Sequence, residues 1–251
     1  SIVDKLGQRK DKEWEGKIKN EQELISLNNN LLKEVSNVKM PDDWSRYGGW
    51  KEKRFNATGF FRTHHDGNRW WLVDPDGYAF LSTGVDCISH NSSGPVGGIE
   101  DLLEWLPETN DPIYGEAINE TRNSKNMDFY VANLIRAYGE NWEEKWTTIT
   151  QGLMRKFRFN TVGNWSSLKF AEESKLPYVL QLRAFPSTNI LLYRDFPDVF
   201  SDEYKTNSIK FAKQLTDYKD DSYMIGYFLR NEPQWAFGYH NLAYEMFATD
   251  Q

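Results

Sequence analysis

The sequence predicts an α/β protein organised around a parallel sheet. Two observations carry this expectation. Short apolar runs rich in β-branched and aromatic residues recur along the chain, and stretches with helical spacing separate the later ones, the pattern of βαβ units. Polar residues collect directly after these runs, at the sheet end where ligands meet such folds.

Composition excludes several classes. Hydrophobic residues make up 39% of the 251 residues and charged ones 27%, the mixture of an ordinary globular chain rather than a disordered or fibrous one. No apolar run approaches the ~18 residues of a membrane span, so no membrane partner is expected. Lys and Arg number 30 against 37 Asp and Glu, a net charge of −7. That balance argues against a nucleic-acid partner, which calls for a basic stripe. The lone cysteine, Cys87, excludes a disulfide framework within the chain and leaves the redox compartment open. Aromatic residues reach 15%. Their flat apolar faces fill cores and also suit ligands with flat apolar faces, sugars among them. The chain starts at Ser1 rather than Met, which a removed leader and a truncated boundary explain equally, and the reading leans to a secreted or periplasmic protein.

The elements follow in order. The first 45 residues are polar, and their most helix-like stretch is Glu21–Leu27, followed by Asn28 to Asn30. Residues 1–58 are read as an N-terminal arm packing on the rest. From Gly59 the character changes: Gly59–His64 and Arg69–Val73 flank His65-Asp66-Gly67-Asn68, a hairpin signal. Trp70 and Trp71 should point to opposite faces of their strand, and His64 and His65 to solvent. A second turn, Asp74-Pro75-Asp76-Gly77, leads into Tyr78–Asp86, the first strand of the parallel sheet. Residues 89–124 form a loop too long for a plain connection. Residues 126–156 have helical spacing, Phe157–Trp165 is a second strand, Leu168–Ser174 a short helix and Pro177–Phe185 a third strand. Asp202–Lys219 is a further helix, and Met224–Leu229 a fourth strand that ends in Arg230-Asn231-Glu232-Pro233.

Length then becomes informative. Three strand-to-strand intervals between residues 78 and 229 take about 50 residues each, so a (β/α)8 barrel would need roughly 200 more residues after the fourth strand. If the fold is a barrel, residues 59–251 are its N-terminal half, with the hairpin as a lead-in.

The strand ends carry the candidate chemistry. Asp86, and later His90 and Asn91, follow the first strand; Asn164 and Trp165 end the second; Arg183 ends the third; Arg230, Asn231, Glu232 and Trp235 follow the fourth. Glycoside hydrolysis needs two carboxyl groups, one to protonate the leaving oxygen and one to attack the anomeric carbon or activate water. Glu232 suits the first role, since apolar rings such as Trp235 beside it would favour the neutral acid. It suits equally the start of a following helix, where a carboxylate is favoured. Trp165 either stacks on a sugar ring or packs in the core. Arg183 either pairs with Glu232, binds substrate or closes the rim with an ion pair. His90 is a candidate subsite ligand. The 4 histidines lack spacing such as His-Glu-x-x-His, so no metal and no cofactor is expected. Ser82 has no Gly-x-Ser-x-Gly context, and Gly94–Gly98 lacks the Lys-Ser/Thr of a phosphate loop.

Asn231-Glu232-Pro233 at the end of a fourth strand resembles the acid/base motif of the clan A glycoside hydrolases. The wider text is closer to the β-agarase group of that clan, in four blocks that run in family order: Gly59–Ile88, Phe159–Ser166, Phe196–Tyr204 and Ile225–Pro233. The resemblance implies a (β/α)8 barrel and a retaining β-glycoside hydrolase acting on a polysaccharide. It implies Glu232 as general acid/base and Asn231 as contact for the hydroxyl next to the anomeric carbon. The family nucleophile is a glutamate at the end of the seventh strand, so it would lie outside this chain. One departure is Arg230, where agarase-like relatives often carry an acid. The alternative from another class is a carbohydrate-binding protein without catalysis, or an inactive fragment of such an enzyme. The expected partners are a carbohydrate and either the C-terminal half of the barrel or a second copy of the chain.

Overall fold

The structure, a computed structural model, describes residues 1–193 and 196–232. In chain order its elements are α1 (Glu21–Val35), β1 (Trp50–Arg54), β2 (Arg62–His65), β3 (Trp70–Val73), β4 (Tyr78–Phe80) and β5 (Gly84–Val85). There follow β6 (Gly94–Pro95), β7 (Ile118–Thr121), β8 (Ser124–Met127), α2 (Phe129–Tyr138), α3 (Trp142–Lys156) and β9 (Thr161–Val162). Last come α4 (Leu168–Ser174), β10 (Tyr178–Gln181), β11 (Leu191–Tyr193), β12 (Phe196–Pro197), α5 (Asp202–Ala212) and β13 (Met224–Phe228). The chain forms two compact units with interleaved segments. The first is Ser1–Asp42, Ile88–Asn160 and Glu172–Ser174; the second is Asp43–Cys87, Thr161–Ala171 and the chain from Lys175 onward. Residues 43–58, read with the arm from sequence, cluster with the second unit.

In the first unit, α1 begins at Asn20, whose side chain accepts the Glu23 N–H at 2.9 Å. The helix outruns the expected Glu21–Leu27 stretch and includes the three asparagines, because Asn28 turns its amide onto the Leu24 carbonyl at 2.9 Å while Leu24 and Val35 are buried. The helical spacing over 126–156 resolves into two helices, not one. Asp128 caps α2 by accepting the Val131 N–H, and Gly139 at φ 61°, ψ −141° ends it, a conformation open to glycine. Val131, Leu134, Ile135, Trp142, Trp146 and Ile149 supply the buried faces. Where α3 meets α1, a Cβ on Gly152 would lie 2.5 Å from the Val35 Cβ, so only glycine permits the approach. The expected loop 89–124 is partly ordered as a three-stranded antiparallel sheet, in the order β6-β8-β7, completed by β8.

The second unit holds two four-stranded sheets. One is antiparallel in the order β1-β4-β3-β2. Its hairpin pairs His65 with Trp70, and Asp66 Oδ1 accepts the Asn68 and Arg69 N–H groups at 3.0 Å, which closes the turn. These bonds and the Trp71 indole hold the Asp66 carboxyl well below the usual carboxylate range. Trp70 is exposed and Trp71 half-buried, as alternation requires. His65 faces solvent, but His64 does not: it packs on Phe55 at 4.5 Å, on the face shared with Trp71. The next turn is anchored by Asp74, fully buried, which accepts from the Ser45 hydroxyl and the Tyr78 N–H.

The other sheet is parallel, in the order β13-β10-β9-β5, so each strand lies beside its predecessor in sequence. Two sequence expectations need correction here. Tyr78–Asp86 is not one strand. Tyr78–Phe80 is tied by the Asp74 turn into the antiparallel sheet, exposed Leu81 marks the switch, and only Gly84–Val85 joins the parallel one. Nor does the second strand begin at Phe157. The Phe157, Arg158 and Phe159 N–H groups donate to carbonyls of the last turn of α3, which prolongs the helix end and leaves Thr161–Val162 as the strand. The helix expected over Asp202–Lys219 is α-helical to Ala212 and tightens to a 3-10 segment over Lys213–Tyr218. Val162, Phe170, Leu176, Tyr178, Leu180 and Leu182 are among the buried apolar residues of this unit.

Candidate active site

Every parallel strand runs out into residues singled out from sequence. Asp86 and Cys87 follow β5; Asn164 and Trp165 follow β9; Arg183 and Ala184 follow β10; Arg230, Asn231 and Glu232 follow β13. Each of these four segments contains a non-glycine residue in the left-handed region: Cys87 at φ 57°, Trp165 at 58°, Ala184 at 57° and Glu232 at 38°. Such a conformation costs a side-chain-bearing residue about 1–2 kcal/mol. Among the described residues only Arg158 and Lys175 share it, and both stand just past helix ends, where it is ordinary. Backbone strain is therefore concentrated at one end of one sheet, as it is at functional sites.

The rim is knitted from the backbone upward. Past the last ladder pair, Val85 with Val162, Asp86 Oδ1 accepts the Asn164 N–H at 2.9 Å and the Cys87 N–H donates to the Asn164 carbonyl at 2.8 Å. A Cβ on Gly163 would collide with Asp86 Oδ1, so glycine lets the carboxylate lie across the strand end. Asp86 itself is exposed. Asn164 is 3% exposed, and among the described residues neither its Oδ1 nor its Nδ2 has a hydrogen-bond partner. A buried amide left unpaired costs about 1–3 kcal/mol, which marks a position kept for something other than stability.

Trp165 is 45% exposed. It and Arg183 line one cavity of about 490 Å3, with Ser166, Gln181 and Gln214. Gln214 acts as a substitute strand: its Oε1 accepts the Arg183 N–H at 3.0 Å and its Nε2 donates to the Arg183 carbonyl at 2.9 Å. The clamp fixes the Arg183 backbone and leaves its side chain exposed. Among the described residues Arg183 makes no ion pair with Glu232. Arg230 lies over the Phe185 ring, 5.5 Å from its centroid. Asn231 and Glu232 are exposed at the end of β13, while Trp235 lies outside the described residues. His90 and Asn91 belong to the first unit rather than to this one. The His90 ring meets Trp142 and Trp146 edge-on at 4.9 and 5.0 Å.

Gly163 and Gln214 escaped the sequence reading. A glycine inside a strand pattern signals close backbone approach, so Gly163 was legible in principle. The Gln214 clamp spans 31 residues and has no local signal.

A carboxyl group, an amide, a guanidinium and an indole thus stand at one sheet end, a set able to bond hydroxyls and cover a flat apolar face. No family model matches the chain. Across 94% of its length it is 30% identical to Beta-agarase B and 26% identical to Beta-agarase A, both from Vibrio sp. (strain JT0107), of which it spans 28% and 26%. Among solved structures it resembles an agarase, AgWH50C, with a TM-score of 0.79 and 31% identity, over 93% of this chain and 38% of that one. An exo-beta-agarase gives a TM-score of 0.77 at 26% identity, over 93% and 39% of the two chains. The chain is therefore agarase-like, in sequence and in fold, over almost all of its own length and over less than two fifths of theirs.

Proposed function

We propose that this chain carries the acid/base half of the active site of a retaining β-glycoside hydrolase acting on an agarose-type polysaccharide. Its parallel sheet then represents the first four strands of a (β/α)8 barrel. The observation that carries the reading is the row of strained residues along the carboxyl ends of four sequence-ordered strands, with Glu232 last in the row. Exposed Val85, Tyr227 and Phe228 on the two edge strands support it, since both edges of half a barrel await further strands.

In this mechanism the Glu232 carboxylic acid gives its proton to the glycosidic oxygen as the bond to the anomeric carbon breaks. A second carboxylate, about 5–5.5 Å away and supplied from outside this chain, attacks that carbon. The Glu232 carboxylate then takes a proton from water, which displaces the enzyme from the sugar and restores the acid. Asn231 bonds the neighbouring hydroxyl, Trp165 covers a sugar face, and Asp86, Arg183 and Arg230 orient the chain of sugars, while Asn164, buried beneath them, holds the rim through its backbone. Trp235 belongs to the same set by its place in the sequence. A polysaccharide too large to cross a membrane is met outside the cytoplasm, which supports a secreted or periplasmic location. Among the described residues no helix is long and apolar enough to cross a membrane.

The test is Glu232→Gln in the full-length protein. Hydrolysis of agarose oligosaccharides should fall about 10²–10⁴-fold, and less for aryl glycosides whose leaving group needs no proton. Unchanged turnover removes Glu232 from the mechanism.

A further inference from the structure

A cavity of about 380 Å3 lies wholly within the first unit, and the mechanism above makes no use of it. His90, Asn91, Glu116, Asn119, Asp128 and Trp142 are among its lining residues, and its size falls in the range of small-ligand pockets. Its walls are held rigidly. Asp128 is 5% exposed and fully committed, its Oδ1 to the Val131 N–H and its Oδ2 to the Ser92 N–H, so it ties the start of α2 to the loop after His90. Glu116 Oε2 accepts the Trp142 Nε1–H at 3.0 Å. The His90 ring is set at right angles to the buried Trp142 and Trp146 rings.

Hydrogen-bonding capacity is left over on this rigid frame. Glu116 and Asn119 are both exposed, and among the described residues Glu116 keeps one carboxylate oxygen and the Asn119 amide has no partner. His90 Nε2 is 3.7 Å from Glu143 Oε1, beyond hydrogen-bond range. Asn91 spends its Oδ1 on the Ser93 N–H and keeps its Nδ2. The cavity therefore offers both donors and acceptors beside an indole. A sugar hydroxyl, which donates and accepts at once, matches that mixture. Charge narrows the choice: Glu116 and Asp128 line the cavity, Glu143 stands beside His90, and no Lys or Arg is among the lining residues. A sulfate or carboxylate on the ligand would meet these carboxylates, with His90 the one lining side chain able to carry a positive charge.

We propose that this cavity is a second saccharide subsite, selective for a neutral, unsulfated sugar unit of the polysaccharide. It rests on the glycoside hydrolase reading for its ligand class, but not on Glu232. The experiment uses the full-length protein with Glu232→Gln, so that ligand survives. Calorimetry with neutral agarose oligosaccharides compares it with versions also carrying Glu116→Gln or Asn119→Ala, each checked for its fold by circular dichroism. The Trp142 indole N–H resonance reports occupancy directly. Either added substitution should weaken neutral oligosaccharides about tenfold or more, and sulfated oligosaccharides should bind the unaltered cavity at least tenfold more weakly. An unmoved Trp142 resonance at saturating ligand, unchanged affinity in both variants, or a preference for sulfated ligand overturns the proposal. Persisting hydrolysis by the Glu232→Gln protein would instead defeat the acid/base assignment, and non-hydrolysable thio-linked oligosaccharides would then carry the same binding test.

Discussion

The Asp86 carboxylate occupies the space that a side chain on Gly163 would need. Its Oδ1 accepts the Asn164 N–H at 2.9 Å, and the Val85 carbonyl would lie 2.9 Å from a Cβ at position 163. Gly163→Ala must therefore push the carboxylate off the strand end or part β5 from β9. Overpacking of this kind costs about 1–3 kcal/mol. Urea unfolding should show that loss, and adding Asp86→Ala should recover part of it, because the two residues share one space. Strict additivity of the two substitutions would show that Asp86 moves aside freely.

Asp74 is fully buried between Ser45 and Tyr78, and burial pushes its carboxyl above the ordinary value of 3.8 despite the hydrogen bond from Ser45. A folded-state value raised above the unfolded one means that folding favours the proton. The stabilisation is complete below the ordinary value and is lost as pH rises through the folded one. At neutral pH the ionised carboxylate therefore weighs against the fold. Asp74→Asn removes this titration. It also sets an amide against the Ser45 hydroxyl, which already accepts the Tyr47 and Gly49 N–H groups, at an overall cost of about 1–3 kcal/mol. The stability gap between parent and variant should accordingly narrow as pH rises from about 4 to about 8. A gap that widens over this interval would mean that the anion, not the acid, is the favoured buried form.

Legibility in the sequence followed the range of the interactions. The hairpin about Asp66-Gly67 is specified within four residues, by a side chain that bonds its own turn, and its register follows from that turn. The order of the parallel strands and the rim residues after them were legible for a similar reason, although Phe157–Trp165 and Pro177–Phe185 overrun the strand ends at Val162 and Gln181. The division of Tyr78–Asp86 between two sheets was not, because it depends on Asp74 and Ser45 gripping one end and Thr161 lying against Gly84 at the other. Nor was the placement of His90. It follows Asp86 closely in sequence, yet its two indole neighbours come from a helix more than fifty residues on, and they draw it into the other compact unit. Asn164 shows the limit most clearly. Its neighbours in sequence are a glycine and an exposed tryptophan, and nothing local predicts an amide buried without a partner among the described residues.

Trp165 offers the sharpest separation of structure from function at the rim. Its φ of 58° is unfavourable for tryptophan and open to glycine, and 45% of the residue is exposed. Trp165→Gly relieves about 1–2 kcal/mol of backbone strain, against which stand the entropy that glycine returns to the unfolded chain and the half-ring of lost contact. The net change in stability should stay within about 1 kcal/mol, whereas truncating a core tryptophan costs about 3–5 kcal/mol. If the indole covers a sugar face in the cavity it shares with Arg183, the same substitution should weaken oligosaccharide binding about tenfold, from loss of ring contact. Denaturant unfolding and calorimetric titration of one variant therefore decide the matter together. Large destabilisation with unchanged affinity assigns the ring to packing, and the reverse pattern assigns it to substrate.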